Sequence, residues 1–277
     1  MVEPRRGLRR SLAGWLARQV RITRALVRVS LALLLQYRLE AVVEGLLSVL
    51  GLGTALVPLW VVFGNRAAVE GWTYPEVLLV VGWFTLLKAV LEGTINPSLL
   101  AVIDHVRKGT LDFVLLKPAD AQLLVSFSKV EPARAVDALA GLAIFGWSFH
   151  LLGRWPGPAE VGAALVMLVA ALAVLYSIAI LVVSVAFVAV RVDNLIFLFG
   201  SLFDLARWPS TLFRGALGLI FTFVLPLALM TTYPALALLG KLSLPTALGA
   251  LSGAAVFAAL ARFTWVSSLR RYTSASS

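Results

Sequence analysis

Residues 161–190 read VGAALVMLVAALAVLYSIAILVVSVAFVAV and contain no charged side chain. An α-helix rises about 1.5 Å per residue, so this run is about 45 Å long, whereas the hydrocarbon core of a bilayer is about 30 Å thick. The run is therefore predicted to form a membrane-spanning helix that tilts or projects beyond the lipid. The whole chain agrees, since 60% of its 277 residues are hydrophobic, 14% are charged and the mean hydropathy is +0.94. These values predict an all-α integral membrane protein.

Five other stretches of the chain are also apolar enough to cross a bilayer as helices. The six predicted spans are residues 45–63, 77–95, 133–152, 161–190, 215–231 and 246–261. Charges weaken two of them, since Lys88 and Glu92 lie inside the second and Asp137 lies near the start of the third. Residues 232–244 contain Pro234 and Gly240, are followed by Pro245, and are predicted to form an external re-entrant segment between the last two spans. Residues 41–277 are thus expected to form a single six-helix transmembrane domain.

The number of lysines and arginines is alternately high and low in successive connecting segments. Twenty of the 24, counting Arg134 at the very start of the third span, lie before the first span, after the second, after the fourth or after the last. Three lie in the other connections, at Arg66, Arg154 and Lys241, and Lys88 lies within the second span. Basic loops remain in the cytoplasm, so both termini are predicted to be cytoplasmic and the chain to be a multi-pass protein of the inner or plasma membrane. The same distribution explains the net charge of +10, and nucleic-acid binding is not expected. Arg191, Asp193, Asp204 and Arg207 are assigned to the second cytoplasmic loop as solvated charges, and a second contact surface for a cytoplasmic partner is the alternative.

The first 40 residues have an amphipathic pattern of their own. Leucine, isoleucine and tryptophan recur on one side of a helix at about 100° per residue. Five arginines fall on the opposite side, at Arg10, Arg18, Arg21, Arg24 and Arg28. Residues 1–40 are therefore predicted to form a cytoplasmic connecting helix that lies on the membrane surface, with its arginines facing lipid phosphates or water. A flexible basic tail is the alternative.

Lys88 and Glu92 are four residues apart, so they share one face of the second span. Ionisable side chains at membrane depth are candidate functional groups. The pair has three interpretations: a neutral ion pair in the bundle interior, with Lys88 also near Glu44 or Asp137, part of a polar substrate path, or a proton-coupling site.

Motifs for catalysis are missing from the sequence. No G-x-x-x-x-G-K-[ST] loop for binding nucleotide phosphates occurs, and no G-x-S-x-G hydrolase motif occurs. There are no cysteines and only two histidines, His105 and His150, so metal and redox sites are not expected. The chain is therefore predicted not to be an enzyme and to hold no cofactor.

The loop after the second span contains RKGTLDFVLLKPAD, residues 107–120. Leu111, Val114 and Leu115 recur at i, i+3 and i+4, and Pro118 ends the pattern. A short helix with one apolar face and charged flanks is suited to insert into a groove on a soluble protein. The alternative is an amphipathic helix that lies on lipid.

The stretch GTLDFVLLKP, residues 109–118, followed by Asp120, resembles the cytoplasmic-loop signature of ABC-2-type transporter permeases, in a branch near daunorubicin-resistance-like export systems. The basic N-terminal helix, the six spans and the proline-bearing segment before the last span are also similar to this family. The resemblance implies that the loop is the coupling helix that contacts an ATPase. Its residues would be Arg107, Lys108, Gly109, Leu111, Asp112, Phe113, Val114, Leu115, Lys117 and Pro118.

The resemblance also implies a function and partners. The chain would be the transmembrane permease subunit of a type V ATP-binding-cassette exporter, forming the path for a hydrophobic or amphiphilic substrate. It would pair with a second permease, identical or different, and with a dimer of ATP-binding subunits that hold ATP and magnesium. An ATP-independent secondary transporter or channel that uses Lys88 and Glu92 is the first alternative. A structural or assembly factor without a translocation path is the second.

Overall fold

The computed structural model describes residues 38–116, 120–126, 128–185, 187 and 193–271. Most of the predicted connecting helix, with its five surface arginines, lies outside these residues. The elements are α1 Arg38–Gly64, β1 Ala68–Val69, β2 Trp72–Thr73, α2 Tyr74–Val90, a π-helix Leu91–Ile95, α3 Asn96–Arg107, α4 Asp112–Leu115, α5 Ala121–Ser126, a 3₁₀ turn Pro132–Arg134, α6 Ala135–Leu152, α7 Pro158–Val185, α8 Asp193–Phe203, 3₁₀ turns Asp204–Arg207 and Ser210–Leu212, α9 Gly215–Leu219, π-helices Ile220–Val224 and Ala228–Thr232, α10 Tyr233–Leu238, and α11 Leu244–Arg271.

The predicted all-α membrane architecture is confirmed. Of the residues that the structure describes, 83% are helical. Five helical runs among them are long and apolar enough to cross a bilayer: Gly45–Gly64, Tyr74–Arg107, Pro132–Leu152, Pro158–Val185 and Leu244–Arg270. A sixth candidate, Gly215–Val224 with Ala228–Leu238, bends by 68°. The second run is 34 residues long, because Asn96 and Pro97 begin α3 directly on the π-helix without interrupting the axis.

A short hairpin fixes the start of α2. Strand β1 pairs antiparallel with β2, and Glu70 and Gly71 between them have φ values of 50° and 81°. Two positive φ values are typical of the tight turns that join adjacent strands. The backbone N–H of Thr73 then donates to the Glu76 carboxylate at 2.9 Å, which satisfies a free donor at the helix start. We call this end of the bundle the hairpin end, and the end that carries residues 108–131 the loop end.

The most extensive packing joins α2 and α6. Two glycines make the close approach possible. A Cβ atom on Gly141 would lie 3.0 Å from the carbonyl oxygen of Gly82 and 3.2 Å from the backbone nitrogen of Leu86. Small residues at such crossings let helix backbones approach within the membrane. Helix α2 therefore lies in the middle of the bundle, with most of its residues buried.

The segment 215–238 begins and ends at the hairpin end. Just before it, the Arg214 guanidinium donates to Glu70 in the hairpin at 2.7 Å. Just after it, the Lys241 ammonium contacts Glu76 in the first turn of α2. Because both ends meet the same end of the bundle, this bent segment is re-entrant. The fifth span, which we predicted at residues 215–231, is therefore not located there.

Residues 193–214 connect the two ends of the bundle instead. Helix α7 starts at the hairpin end and runs to Val185 at the opposite end, and α8 follows it. At the far side of this crossing, Trp72 Nε1 donates to Thr211 Oγ1 at 3.1 Å. The crossing includes the 3₁₀ turn Asp204–Arg207, so Asp204 and Arg207 lie within the bundle. Our assignment of these two residues to a solvated loop is wrong, because their charges hid the crossing from a search for uncharged runs.

The irregular backbone of this crossing needs internal hydrogen-bond partners, since lipid offers none. Two buried threonines of the re-entrant segment supply them. Thr231 Oγ1 donates to the carbonyl oxygen of Ala206 at 2.8 Å, and Thr232 Oγ1 accepts from the backbone N–H of Ser210 at 3.1 Å. The re-entrant segment thus stabilises the fifth crossing.

Candidate functional site

Helix α3 ends at Arg107, and Gly109 follows two residues later in the predicted coupling loop. Gly109 has φ of +65°, a conformation that costs side-chain-bearing residues free energy. The N–H of Thr110 donates to the carbonyl oxygen of His105 at 2.9 Å, and the N–H of Gly109 donates to that of Val106 at 3.2 Å. This pair of bonds is the Schellman pattern that terminates helices. Gly109 therefore reverses the chain so that α4 folds back toward the bundle.

The apolar face of α4 is divided between the bundle and the solvent. Leu111 is completely buried in its own chain, and Val114 packs against the core. Phe113 is 71% exposed and Leu116 is 80% exposed. Leu111 is thus not exposed for the groove of a partner, contrary to its predicted role. Leu116, which we did not predict, forms an exposed apolar pair with Phe113 three residues earlier, and we call these two residues the loop patch.

The remaining predicted coupling residues have separate positions. Lys108 makes an exposed ion pair with Asp104 at 2.7 Å, four residues before it. Asp112 is half-buried at the start of α4, and Arg107 lies in the last turn of α3. The side chain of Leu115 and the residues Lys117 and Pro118 lie outside the part of the chain that the structure describes.

Helix α5, directly after this loop, is tied to two other helices. The Asp120 carboxylate accepts from the Arg262 guanidinium of α11 at 2.8 and 3.3 Å, and Gln122 Oε1 accepts from it at 2.7 Å. On its other side, Gln122 Nε2 donates to the Tyr176 hydroxyl of α7 at 3.2 Å, and Ser126 Oγ lies 2.6 Å from that hydroxyl. We call these five residues the α5 latch. Asp120, noted only as part of the sequence signature, joins the loop to the last helix.

A second group of polar residues lies deeper in the bundle, around Lys88. The Lys88 ammonium lies 2.8 Å from Asp204 and 3.6 Å from Glu92. Arg207 also contacts Asp204, at 3.4 Å. Lys88 and Glu92 lie close together, as predicted, but Asp204 is nearer to Lys88 than Glu92 is. The position of the Glu44 side chain is not among those described.

The same group extends to α6 through Arg134. The Arg134 guanidinium lies 3.1 Å from Glu92 and 3.6 Å from Asp137. Asp137 thus pairs with Arg134 and not with Lys88. The six side chains form an alternating series, which we call the charge cluster: Arg207, Asp204, Lys88, Glu92, Arg134 and Asp137. With three cations and three anions the cluster is neutral, which reduces the cost of charges at membrane depth.

A π-helix forms part of this site. Leu91–Ile95 contains Glu92, and the carbonyl oxygen of Gly93 accepts from the N–H of Glu131 at 2.7 Å. Single π-helical turns widen a helix locally and are frequent at functional sites. Here the turn anchors the chain before α6 and so brings Arg134 to Glu92.

A family model described as ABC-2 family transporter protein matches residues 49–276, which is most of the chain. The chain belongs to this ABC-2 transporter family. No curated protein and no solved structure is significantly similar to it. The family match agrees with the resemblance of residues 109–118 to the loop signature of ABC-2 permeases.

Membership of the ABC-2 family establishes the general role of the chain. It is a multi-pass membrane protein and a transmembrane component of an ABC transporter. Permeases of this family are membrane subunits that partner with an ATP-binding subunit and are not themselves ATPases. In the described part of this permease, no three potential metal ligands come together, and His105 Nδ1 instead lies 2.8 Å from Thr110 Oγ1.

Proposed function

We propose that this permease forms the translocation path of an ATP-driven exporter for hydrophobic or amphiphilic substrates, and that it couples to its ATP-binding subunits through the loop patch. The observation that carries the proposal is the exposure of Phe113 and Leu116, at 71% and 80%, at the tip of a basic loop. Such a pair favours contact with a protein groove, since exposed apolar side chains that cluster mark interaction sites.

The charge distribution supports one orientation of the molecule across the membrane. The loop end carries Arg107, Lys108 and Lys129, whereas the segments at the hairpin end carry few basic residues. The loop end then faces the cytoplasm, both termini lie there, and the re-entrant segment lies toward the outer face of the cell membrane. A cytoplasmic loop end is also where soluble ATP-binding subunits have access to the loop patch.

In this proposal ATP and magnesium act on the partner subunits, and this chain transmits their movement. Closure of an ATP-binding dimer would displace the loop patch and favour one of two permease arrangements by differential binding. The α5 latch links the loop to α7 and α11, so a displacement of the loop reaches both helices. A second permease, identical to this one or different, completes the path.

The direct test is to co-express the permease with its ATP-binding subunit and to substitute the loop patch. Phe113→Asp with Leu116→Asp is expected to lower the affinity for the ATP-binding subunit by about a hundredfold, the equivalent of about 2.7 kcal/mol, because two apolar contacts are replaced by charges. Ser128→Asp adds a negative charge to an exposed position of the same loop and is expected to leave co-purification and ATPase stimulation unchanged.

Two outcomes contradict the proposal. Retention of co-purification and of ATPase stimulation by the double Asp variant rules out the loop patch as the contact. Reconstituted transport that requires an ion gradient and does not respond to ATP supports the ATP-independent alternative.

A further inference from the structure

Two cavities lie on either side of one ion pair in the charge cluster. The loop-end cavity, of about 600 Å³, is lined by the π-helix, α3 and residues 129–134. The bilayer cavity, of about 250 Å³, lies between α1, α2, the start of α6 and Arg207. Glu92 and Arg134 line both cavities. Their ion pair, with a distance of 3.1 Å, is therefore the partition between a cavity at the loop end and a cavity at membrane depth.

The walls of the bilayer cavity have opposite character. On one side α1 contributes Leu47, Ser48, Gly51, Leu52 and Ala55, none of which is charged. On the other side lie five members of the charge cluster, among them Lys88, Arg207 and Asp137. One wall suits a hydrocarbon tail and the other a polar head group, which is the composition of an amphiphile.

The charges of the two cavities have mixed sign. The loop-end cavity adds Asp104, Glu131 and Lys129 to Glu92 and Arg134. In both cavities a simple anion would meet carboxylates as well as cations, and a simple cation would meet ammonium and guanidinium groups as well as carboxylates. A head group that carries both charges can pair each with its opposite, so a zwitterion meets the lowest electrostatic cost.

Two buried polar atoms on residues that line these cavities lack hydrogen-bond partners among the described residues. They are Oδ1 of Asn96, a residue of the loop-end cavity, and Nε of Arg134, a residue of both cavities. Buried donors and acceptors are rarely left unpaired, and an exception in a native structure calls for an explanation. One free acceptor and one free donor on the same route fit the polar atoms of a passing head group.

We propose that the loop-end and bilayer cavities form one route along which the zwitterionic head group of an amphiphile enters the bilayer, past the Glu92–Arg134 ion pair and with its tail against α1. This inference rests on the proposed export function and names the class of its substrate. The partition opens when Glu92 and Arg134 exchange their mutual contact for contacts with the head group.

The chain contains no cysteine, so single cysteines report on the route directly. Three variants in lipid nanodiscs are informative: Ala101→Cys in the loop-end cavity, Ser48→Cys in the bilayer cavity, and Leu46→Cys, whose parent side chain is 60% exposed on α1 outside both cavities. The probe is a charged, membrane-impermeant methanethiosulfonate. Ala101→Cys and Ser48→Cys are expected to react. Leu46→Cys is expected to be inert, because an exposed apolar position on a membrane-spanning helix is expected to contact lipid or the second permease.

The class of ligand is tested by protection with amphiphiles of equal tail length. Dodecylphosphocholine below its micellar concentration is expected to slow the reaction of Ala101→Cys and Ser48→Cys by about tenfold, which corresponds to a free energy of about 1.4 kcal/mol. Dodecyltrimethylammonium and dodecyl phosphate are expected to give little protection. Equal protection by either of these, or no protection by dodecylphosphocholine, overturns the assignment. So does a Ser48→Cys variant that reacts as slowly as Leu46→Cys.

The partition is tested by adding Glu92→Gln with Arg134→Gln to the cysteine variants. The reaction at Ser48→Cys is expected to become about tenfold faster, while the reaction at Ala101→Cys stays the same. Glu70→Gln with Arg214→Gln removes an ion pair of 2.7 Å at the hairpin end and is the matched control, with both rates unchanged. Equal rates with and without the ion pair at Ser48→Cys contradict the partition. The protection experiment uses the intact cluster, so it stands even where the double Gln variant fails to fold.

Failure of this inference is distinguishable from failure of the proposed function. A nanodisc complex that retains its ATP-binding subunit and ATPase stimulation but shows no protection refutes only the head-group route. Protection without any association of the ATP-binding subunit refutes the coupling and leaves the route intact.

Discussion

Helix α1 and the long run of α2, the π-helix and α3 are both strongly apolar, but they have different surroundings. The most apolar stretch of α1 has a hydropathy of 2.2 and only 6% of it is buried, whereas that of the long run has a hydropathy of 1.7 and 72% of it is buried. Lipid and protein interior are about equally apolar, so hydropathy identifies both helices as spans and does not distinguish their environments. This difference in burial decides where charged side chains are tolerated. Lys88 and Glu92 lie in the enclosed run, where neighbouring elements supply their partners Asp204 and Arg134.

The largest expected effect comes from filling the crossing that encloses α2. Gly141→Leu places a side chain against the backbone of α2, where even a Cβ atom would lie 3.0 Å from a carbonyl oxygen. Overpacking of this kind is expected to destabilise the protein by about 3 kcal/mol. A Cβ atom on Gly53 of α1 would meet no atom within 4 Å, so Gly53→Leu is the matched control, with an expected change within about 0.5 kcal/mol. Thermal unfolding in detergent measures both, and equal loss of stability in the two variants contradicts the comparison.

A smaller effect is expected from breaking the charge cluster. Lys88→Met leaves Asp204 and Glu92 without their shared cation, at an expected cost of about 2 kcal/mol, because these side chains are about one third exposed and partly screened. Lys108→Met removes a cation from the exposed pair with Asp104 and is expected to cost at most about 0.5 kcal/mol.

A second substitution separates the ion pair from the loss of the lysine itself. Asp204→Leu in the Lys88→Met background removes the carboxylate that has lost its nearest cation, so the double variant is expected to be more stable than the sum of the single variants predicts. Additive losses measured by chemical or thermal unfolding are incompatible with a direct Lys88–Asp204 interaction.

Much of this architecture follows from the sequence, and the failures have physical causes. Residues 161–190 predicted α7 because an uncharged run of that length has few other stable states in lipid. The fifth crossing was missed because Asp204 and Arg207 interrupt its apolar residues, and the nearest partner of Asp204 is Lys88, more than a hundred residues earlier. Charge partners distant in sequence leave no mark on local hydropathy.

The coupling loop shows a different limit of prediction. The spacing of Leu111 and Val114 correctly indicates a short helix with an apolar face. Spacing does not say whether such a face turns toward the bundle or toward a partner, and here Leu111 is buried in its own chain. The exposed residues Phe113 and Leu116 also lie three apart, and this second spacing was the available signal.

The smallest expected effect concerns α11, which resembles α1 in exposure, with 17% of its most apolar stretch buried, but is anchored to the loop by the α5 latch. Arg262→Leu removes the partner of Asp120 and Gln122 and is expected to lower the amount of substrate transported per ATP hydrolysed by about fivefold, the equivalent of about 1 kcal/mol. Co-purification with the ATP-binding subunit is expected to persist, because the loop patch is unchanged. Asp120→Arg with Arg262→Asp restores opposite charges in reversed order and is expected to recover part of the transport per ATP. If the latch were merely structural, Arg262→Leu would lower protein yield and total transport together. The amount of substrate transported per ATP hydrolysed would then stay the same, and the reversed pair would not change it.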